Sequence, residues 1–271
     1  MFELSRTVRF CLNGPADARP ASARSNSFSA WPAMRGLGRY YELHVLCFGE
    51  ADPVTGYLVN IKHIDTAVRD HVLPYYAHCL DHTLSPADVP MGELMRQSLL
   101  RLKPHVVPHI EHLRLHLTPY HSIELRSRDM SHVIIRQQYE FSAAHRLHVN
   151  ALSDAENRNV FGKCNNPSGH GHNYKLEVAV RAPIDKAGNI LLVEQLDELV
   201  DRIAIEQLDH KHLNEDVPEF ANLNPSVEHI VRVIYDWLVE PVQTLGVTLD
   251  ACSVWETGKT VCTYRGAEAT V

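Results

Sequence analysis

The sequence predicts an α+β protein of two tandem units ordered β-β-α-α-β-β, each an antiparallel sheet with its helices on one face. Three observations carry that prediction. Phe28, Gly36, Tyr41 and Val45 recur 133 residues later as Phe161, Gly169, Tyr174 and Val178. Segments of alternating apolar residues read as strands, and segments with apolar residues three and four apart read as helices. A length of 271 residues exceeds the commonest domain size of about 100 to 150, which suits two compact units.

The repeat extends along the chain. Gly56 to Asp65 echoes Gly188 to Asp197, and Leu80-Asp81-His82 and Asp88-Val89-Pro90 echo Leu208-Asp209-His210 and Asp216-Val217-Pro218. Matches in one order point to duplication rather than chance. The seam falls between Arg126 and Ser131, dividing the chain into domains 1–130 and 131–271.

The elements are clearer in the second half. Val133 to Ser142 and His172 to Ala182 read as strands, the latter with Tyr174, Leu176, Val178 and Val180 on one face. They are expected to pair antiparallel across the loop between them. Val193, Leu196, Val200 and Ile203 form one helical stripe, and Val227, Ile230, Val231, Ile234 and Leu238 form another. The second helix is expected to open at Asn224-Pro225, a capping residue followed by a first-turn proline. Strands near Val247 to Glu256 and Thr260 to Tyr264 complete the unit. Its second sheet face is left for assembly, or for the other half, to cover. The Arg- and Ser-rich stretch from Arg19 to Ser29 reads as a flexible loop.

Composition narrows the function. A 45% hydrophobic and 22% charged chain has enough apolar material for a core. A net charge of -7 and a pI near 6.2 argue against broad binding to nucleic acid or anionic membrane. Any phosphate must therefore meet a local site. No apolar run approaches the roughly 18 residues of a membrane span and no signal-peptide pattern opens the chain, so a cytoplasmic protein is expected. Six cysteines lie scattered without a C-x-x-C pair, most of them expected as small core residues. The 18 histidines stand out, because imidazole serves both metal binding and proton transfer.

The densest segment runs from Phe161 through Cys164 to His170-Gly-His172. Residues two apart on a strand share a face, so His170 and His172 can offer ring nitrogens to one ion at about 2.0 to 2.1 Å. His145, ending Phe141-Ser-Ala-Ala-His145, is the natural third ligand if the strands are neighbours. Three neutral imidazoles with a position left open describe a catalytic zinc site. An isolated H-x-H is more often two unrelated surface histidines, but the spacing to Cys164 and the segments that follow favour the metal.

Cys164 lies six residues before His170 in a Gly-, Asn- and Pro-rich loop. Near a dication its thiol ionises more readily. It can serve as a fourth ligand, closing the site, or as a base; the base is preferred, because a closed site leaves the neighbouring polar residues without a purpose. In Leu208-Asp209-His210-Lys-His212-Leu-Asn214, an Asp beside a His can hold one tautomer and form a proton relay, although a polar helix terminus would look the same. Glu256, at a strand end, could accept hydrogen bonds from the amino and ring N–H groups of a guanine-like ring.

Together, Phe141-Ser-Ala-Ala-His145, Cys164-Asn-Asn-Pro-x-Gly-His170-Gly-His172, Leu208-Asp209-His210-x-x-Leu-Asn214, Asn224-Pro-Ser-x-Glu228 and Trp255-Glu256-Thr257 resemble the 6-pyruvoyltetrahydropterin and 6-carboxytetrahydropterin synthase family over residues 131 to 266. The resemblance implies a tunnelling fold, with units joined into a barrel by oligomerisation, and 7,8-dihydroneopterin triphosphate as substrate. It implies zinc on His145, His170 and His172, Cys164 as base, and Asp209 and His210 as relay. Glu256 would anchor the pterin, with Ser226 and Glu228 also binding substrate. The five residues between Cys164 and His170 resemble the 6-pyruvoyl enzymes, which eliminate triphosphate. The alternative is 6-carboxytetrahydropterin synthase activity, of the queuosine pathway, on the same substrate.

At the offset of 133 the first half carries Trp31 for Cys164, Leu37 for His170 and Arg39 for His172, so it cannot hold the same zinc. Leu117-Thr-Pro-Tyr120 stands where Glu256 is expected, while Asp81-His82 survives. The family resemblance implies catalytic groups shared between subunits. Asp81-His82 therefore either serves a neighbour's Cys164 or is an inert relic beside a working Asp209-His210. A homo-oligomer follows, as a trimer of tandem chains or a dimer of trimers. The competing classes are a pterin-binding protein without turnover and a zinc hydrolase acting on a purine-like ring.

Overall fold

The computed structural model describes residues 1–14, 26, 28–107 and 109–266, so most of the predicted loop from Arg19 to Ser29 lies outside the described residues. Two compact units divide the chain: Met1–Ile135 with Ala182–Ile190, and Arg136–Arg181 with Leu191–Val271. Both are α+β. Among the described residues no helix is long and apolar enough to cross a membrane.

The first unit runs β1 (Phe2–Leu12), β2 (Arg39–Gly49), α1 (Ile61–Ala67), a π-helical turn at Val68–Val72, α2 (Leu73–Asp81), α3 (Met91–Leu102), β3 (His109–His116), β4 (His121–Arg126) and the start of β5 (Asp129–His145). Its sheet follows that sequence order, with β1/β2, β2/β3 and β3/β4 antiparallel. Alternation sends Phe10, Leu43, Val45, Leu113 and Leu115 into the core with Ile64, Val68, Met95 and Leu99 of the helices. Fully burying each such side chain stabilises by about 1.5 to 3 kcal/mol. Arg6 on β1 grips Asp65 on α1 through two bonds of 2.8 and 2.7 Å. The opposite face carries Arg9, Glu42, His44, Arg114, His116 and Glu124, the helix-free surface that the sequence leaves polar.

Ala182–Ile190 belongs with this unit because backbone bonds place it there: Ile184 N–H donates to Ser131 O at 2.9 Å and Glu93 N–H to Gly188 O at 3.0 Å. A Cβ on Gly188, whose φ is +89°, would lie 2.5 Å from the Glu93 Cβ, so only glycine fits this approach.

The second unit continues with β5 to His145, then α4 (Asp154–Phe161), β6 (His170–Pro183), α5 (Val193–Val200), a π-helical turn at Asp201–Ile205, α6 (Glu206–Leu208), β7 (Lys211–His212), α7 (Leu213–Asp216), α8 (Val227–Leu238), β8 (Thr248–Thr257) and β9 (Thr260–Tyr264). Strand order is β5-β6-β8-β9. Ser142 meets Asn173 and Gln138 meets Glu177, so β5 and β6 run antiparallel as expected. β6/β8 and β8/β9 are antiparallel as well, and α8 packs on β8 and β9.

Three local expectations change. The stripe Val193, Leu196, Val200, Ile203 is replaced by buried Leu196, Val200, Ala204 and Leu208, because the wider π turn moves each next core position four residues on and leaves Ile203 half-exposed. α8 is capped by Ser226, not Asn224, and Pro225 precedes the helix instead of opening it. Its apolar stripe is as predicted, with Ile230, Val231, Ile234 and Leu238 fully buried. Lys211–His212 leaves the helical path to pair parallel with Ala143 and Ala144 of β5, which the sequence did not reveal.

Candidate metal-binding and catalytic site

Alternation along β5 buries Phe141, Ala143 and His145 on one face, and the same rule sets His170, His172 and Tyr174 on one face of β6. Because the strands are antiparallel neighbours, the three histidines meet. His145 Nε2 lies 3.2 Å from His170 Nε2, and one ring nitrogen from each of His145, His170 and His172 falls within 4.8 Å of the others. Four tetrahedral ligands at about 2.0 to 2.1 Å from zinc stand roughly 3.3 to 3.4 Å apart, close to the His145–His170 separation.

The tautomer is set from outside. His145 Nδ1 lies 2.7 Å from the Pro225 carbonyl, which can only accept, so Nδ1 carries the proton and the Nε2 lone pair faces the cluster. His172 Nε2 is buried without a hydrogen-bond partner. Burial first, then the neighbouring histidines, lowers His145 to about 4 despite the raising bond to Pro225. Burial and then His172 also lower His170. The His145 and His170 rings are therefore neutral near pH 7, the form a metal requires. These donors fit a divalent cation.

Glu256, next to last on β8, brings Oε1 to 3.5 Å from His145 Nε2 and 3.8 Å from His172 Nε2. Its carboxylate thus faces the metal donors. Tyr174 lies fully buried beneath, stacked on Phe141 at 4.9 Å, with its hydroxyl 3.4 Å from His145 Nδ1. Burial, then the charges of Glu256 and Cys164, raise its phenol, so both groups lie within electrostatic reach of the same hydroxyl.

Cys164 sits half-buried in a 3-10 turn, Gly162–Asn165, directly after α4. The turn is sewn to the segment following His145: Leu147 N–H donates to Cys164 O at 2.9 Å, and the buried Asn165 donates through Nδ2 to Leu147 O at 2.7 Å. Gly169 completes the loop at φ +71°, where a Cβ would come within 2.7 Å of His212 Nε2.

Asp209 and His210 form the relay geometry but face outward. His210 Nδ1 donates to Asp209 Oδ2 at 2.7 Å, while Asp209 Oδ1 accepts from Ser142 N–H at 2.8 Å. The Ser142 bond first, and His210 second, hold the Asp209 carboxyl below its usual range. His210 has φ +56°, and its side chain is 84% exposed, so the ring's far nitrogen is offered to solvent. Among the described residues no hydrogen bond or ion pair joins it to Cys164 or the three histidines. His82 differs: its Nδ1 donates to His78 O at 2.9 Å and makes no bond to Asp81.

Ser226 caps α8, and Glu228 stands in its first turn. A hydrogen bond from the Ser226 hydroxyl, then one from its own backbone N–H, lower the Glu228 carboxyl. The same turn supplies the Pro225 carbonyl that orients His145. Sequence reasoning missed Pro225 and Tyr174, and it gave Asn214 no role. The Asn214 amide pairs with both the N–H and C=O of Arg146, at 2.8 and 3.0 Å, and so fixes the backbone beside His145. A motif asparagine two residues after a histidine-rich run was the only signal.

A model of the family described as 6-pyruvoyl tetrahydropterin synthase matches residues 134–267. The chain is 43% identical over 127 residues to 6-pyruvoyl tetrahydrobiopterin synthase of Drosophila melanogaster, covering 46% of this chain and 75% of that protein. It is 41% identical over 133 residues to the Homo sapiens protein of that name, covering 49% of this chain and 90% of its relative. Identity is 25% over 152 residues to 6-carboxy-5,6,7,8-tetrahydropterin synthase of Haemophilus influenzae, covering 48% and 97%. With its histidine cluster and coverage of most of these relatives' lengths, the chain belongs to the 6-pyruvoyl tetrahydropterin synthase family.

Proposed function

We propose that this chain, a lyase of the 6-pyruvoyl tetrahydropterin synthase type, is zinc-dependent and converts 7,8-dihydroneopterin triphosphate to 6-pyruvoyltetrahydropterin and triphosphate in the cytoplasm. The convergence of His145, His170 and His172 carries the reading. Zinc held there supplies Lewis-acid polarisation of the side-chain oxygens, which acidifies neighbouring C–H bonds.

The protein groups then have separate tasks. Cys164 removes side-chain protons as a thiolate, and Asp209-His210 carries them away and returns them. The 84% exposure of His210 supports its serving the Cys164 of a neighbouring chain. Glu256 anchors the pterin, a role supported by its carboxylate lying 3.5 and 3.8 Å from His145 and His172, and Ser226 and Glu228 also bind substrate. The reaction balances internally. The two carbinol carbons become carbonyls, the dihydropterin ring gains two electrons and the terminal carbon loses triphosphate to become a methyl group.

The first half, residues 1–130, is on this reading a degenerate copy of the second, 131–271. Leu12 and His145 end the first strands of the two units, 133 residues apart. Glu42 pairs with His116 where Lys175 pairs with Trp255, so Leu117 occupies the position of Glu256. Edge strands β1 and β9 are then free to close a barrel in a trimer of chains, or a dimer of trimers, and a monomer in sedimentation would count against that assembly.

Product analysis by mass after incubation with dihydroneopterin triphosphate tests the function. The expected products are the 6-pyruvoyl compound and triphosphate. A 6-carboxy product would favour the 6-carboxytetrahydropterin synthase reading, against which the higher identity to 6-pyruvoyl enzymes speaks. Tight pterin binding without product would mark a non-catalytic binder.

A further inference from the structure

The chain carries a net charge of -7, yet cations gather beside the metal ligands. A cavity of about 750 Å³ is lined by Arg146, Asp154, Arg158, Lys163 and the candidate ligand His170. Three cations face one carboxylate there. Arg158 and Lys163 are exposed and make no ion pair among the described residues, and Arg146 spends only Nε on the protein, in a 3.3 Å bond to Asn165 O. Like charges held together without partners repel, so the arrangement stores a demand for an anion.

The cations are positioned by independent local devices. Arg146 follows His145, with its backbone clamped by Asn214. Lys163 precedes Cys164 in the turn tied to Leu147. Arg158 lies on α4, which starts in a Ser153/Glu156 capping box and is anchored by the buried Asn157 amide, bonded to Val149, Leu152 and Ser153 carbonyls at 3.0 to 3.2 Å. At the offset of 133 the first unit has Asn13, Ser25 and Ala30 in place of Arg146, Arg158 and Lys163. These three cations thus have no counterparts at the matching positions of the first unit.

We propose that this basic cavity is the subsite for the substrate's triphosphate, with Arg146, Arg158 and Lys163 binding its oxygens. The inference rests on reading the site as one for a triphosphorylated side chain. A chain of phosphates extending from a metal-held side chain past His170 meets all three cations, and arginine forks match phosphate geometry. The same cations compensate the charge that grows on the triphosphate as its ester C–O bond breaks.

Calorimetry with inorganic tripolyphosphate on the metal-loaded protein, alongside steady-state kinetics, tests the subsite. Arg158→Gln and Lys163→Gln should each weaken tripolyphosphate about tenfold or more, as expected for one charge-assisted bond, and raise KM similarly. Dihydroneopterin without phosphates should bind these variants and the wild type equally. Arg232→Gln, an exposed α8 cation paired with Asp236, should change neither value and so controls for overall charge. Unchanged tripolyphosphate affinity in the Arg158→Glu/Lys163→Glu double variant, with normal turnover by the wild type, overturns the subsite alone. Wild-type protein that neither turns over the substrate nor binds dihydroneopterin overturns the functional reading, while a tripolyphosphate site lost in the variants would still stand.

Discussion

Both units set two strands before a helical stretch and two strands after it, with a π turn following the first helix of that stretch, and the second unit adds α4, β7 and α7. Where the second unit brings His145, His170, His172 and Glu256 together, the duplication proposed above sets Leu12, Leu37, Arg39 and Leu117 of the first. A cavity of about 720 Å³ in the first unit is lined by Leu12, Leu37, Leu73 and Leu80 together with Arg35, Arg39 and Asp81. The scaffold is therefore indifferent to the chemistry, which resides in a few side chains at strand ends.

The largest effect that sharpens this contrast is at Cys164. On the proposed role of the thiol as a base, Cys164→Ala should lower kcat by roughly a thousandfold while metal content stays at the wild-type level. Loss of metal in that variant would instead make Cys164 a ligand.

Next comes the relay. His210→Ala should lower kcat roughly a hundredfold, whereas His82→Ala should leave it within about twofold. The structural reason is the 2.7 Å Asp209–His210 bond, which has no counterpart at Asp81-His82. Equal losses in the two variants would restore the first unit to the active site.

Acid distinguishes the units less sharply. Burial holds His145 in the second unit and His116 in the first at about 4, below the ordinary 6.5. Between those values the unfolded chain binds more protons, so stability is full above about 6.5 and is lost as pH falls toward 4. For the fully buried His145 the loss amounts to at most roughly 3 kcal/mol, and for the partly solvated His116 it is smaller. Hydrogen exchange on metal-free protein, followed separately in peptides of each unit, should show both losses, the larger around His145.

Much of this was legible in the sequence because strand alternation acts locally. Once His170 and His172 were placed on one strand and His145 at the end of its neighbour, their meeting followed from the two-residue period. The same rule identified the buried faces of β6 and α8. What escaped was carried by backbone groups and distant pairings. Pro225 acts through a carbonyl 80 residues from His145, and Asn214 acts by imitating a strand partner for Arg146. The parallel pairing of Lys211–His212 with β5 has no local signature, and the π turn shifts a helical stripe that a constant period cannot follow. Arg146, Arg158 and Lys163 are separated by 12 and 5 residues and became a cluster only through the turn that ties Cys164 to Leu147.

The most direct test of the account is a count of tightly bound zinc per chain in purified protein, by elemental mass spectrometry. One ion per chain is expected, falling to none in His170→Ala, because among the described residues the three histidine donors gather in the second unit alone. Two ions per chain, none in the wild type, or an undiminished count in His170→Ala would contradict it.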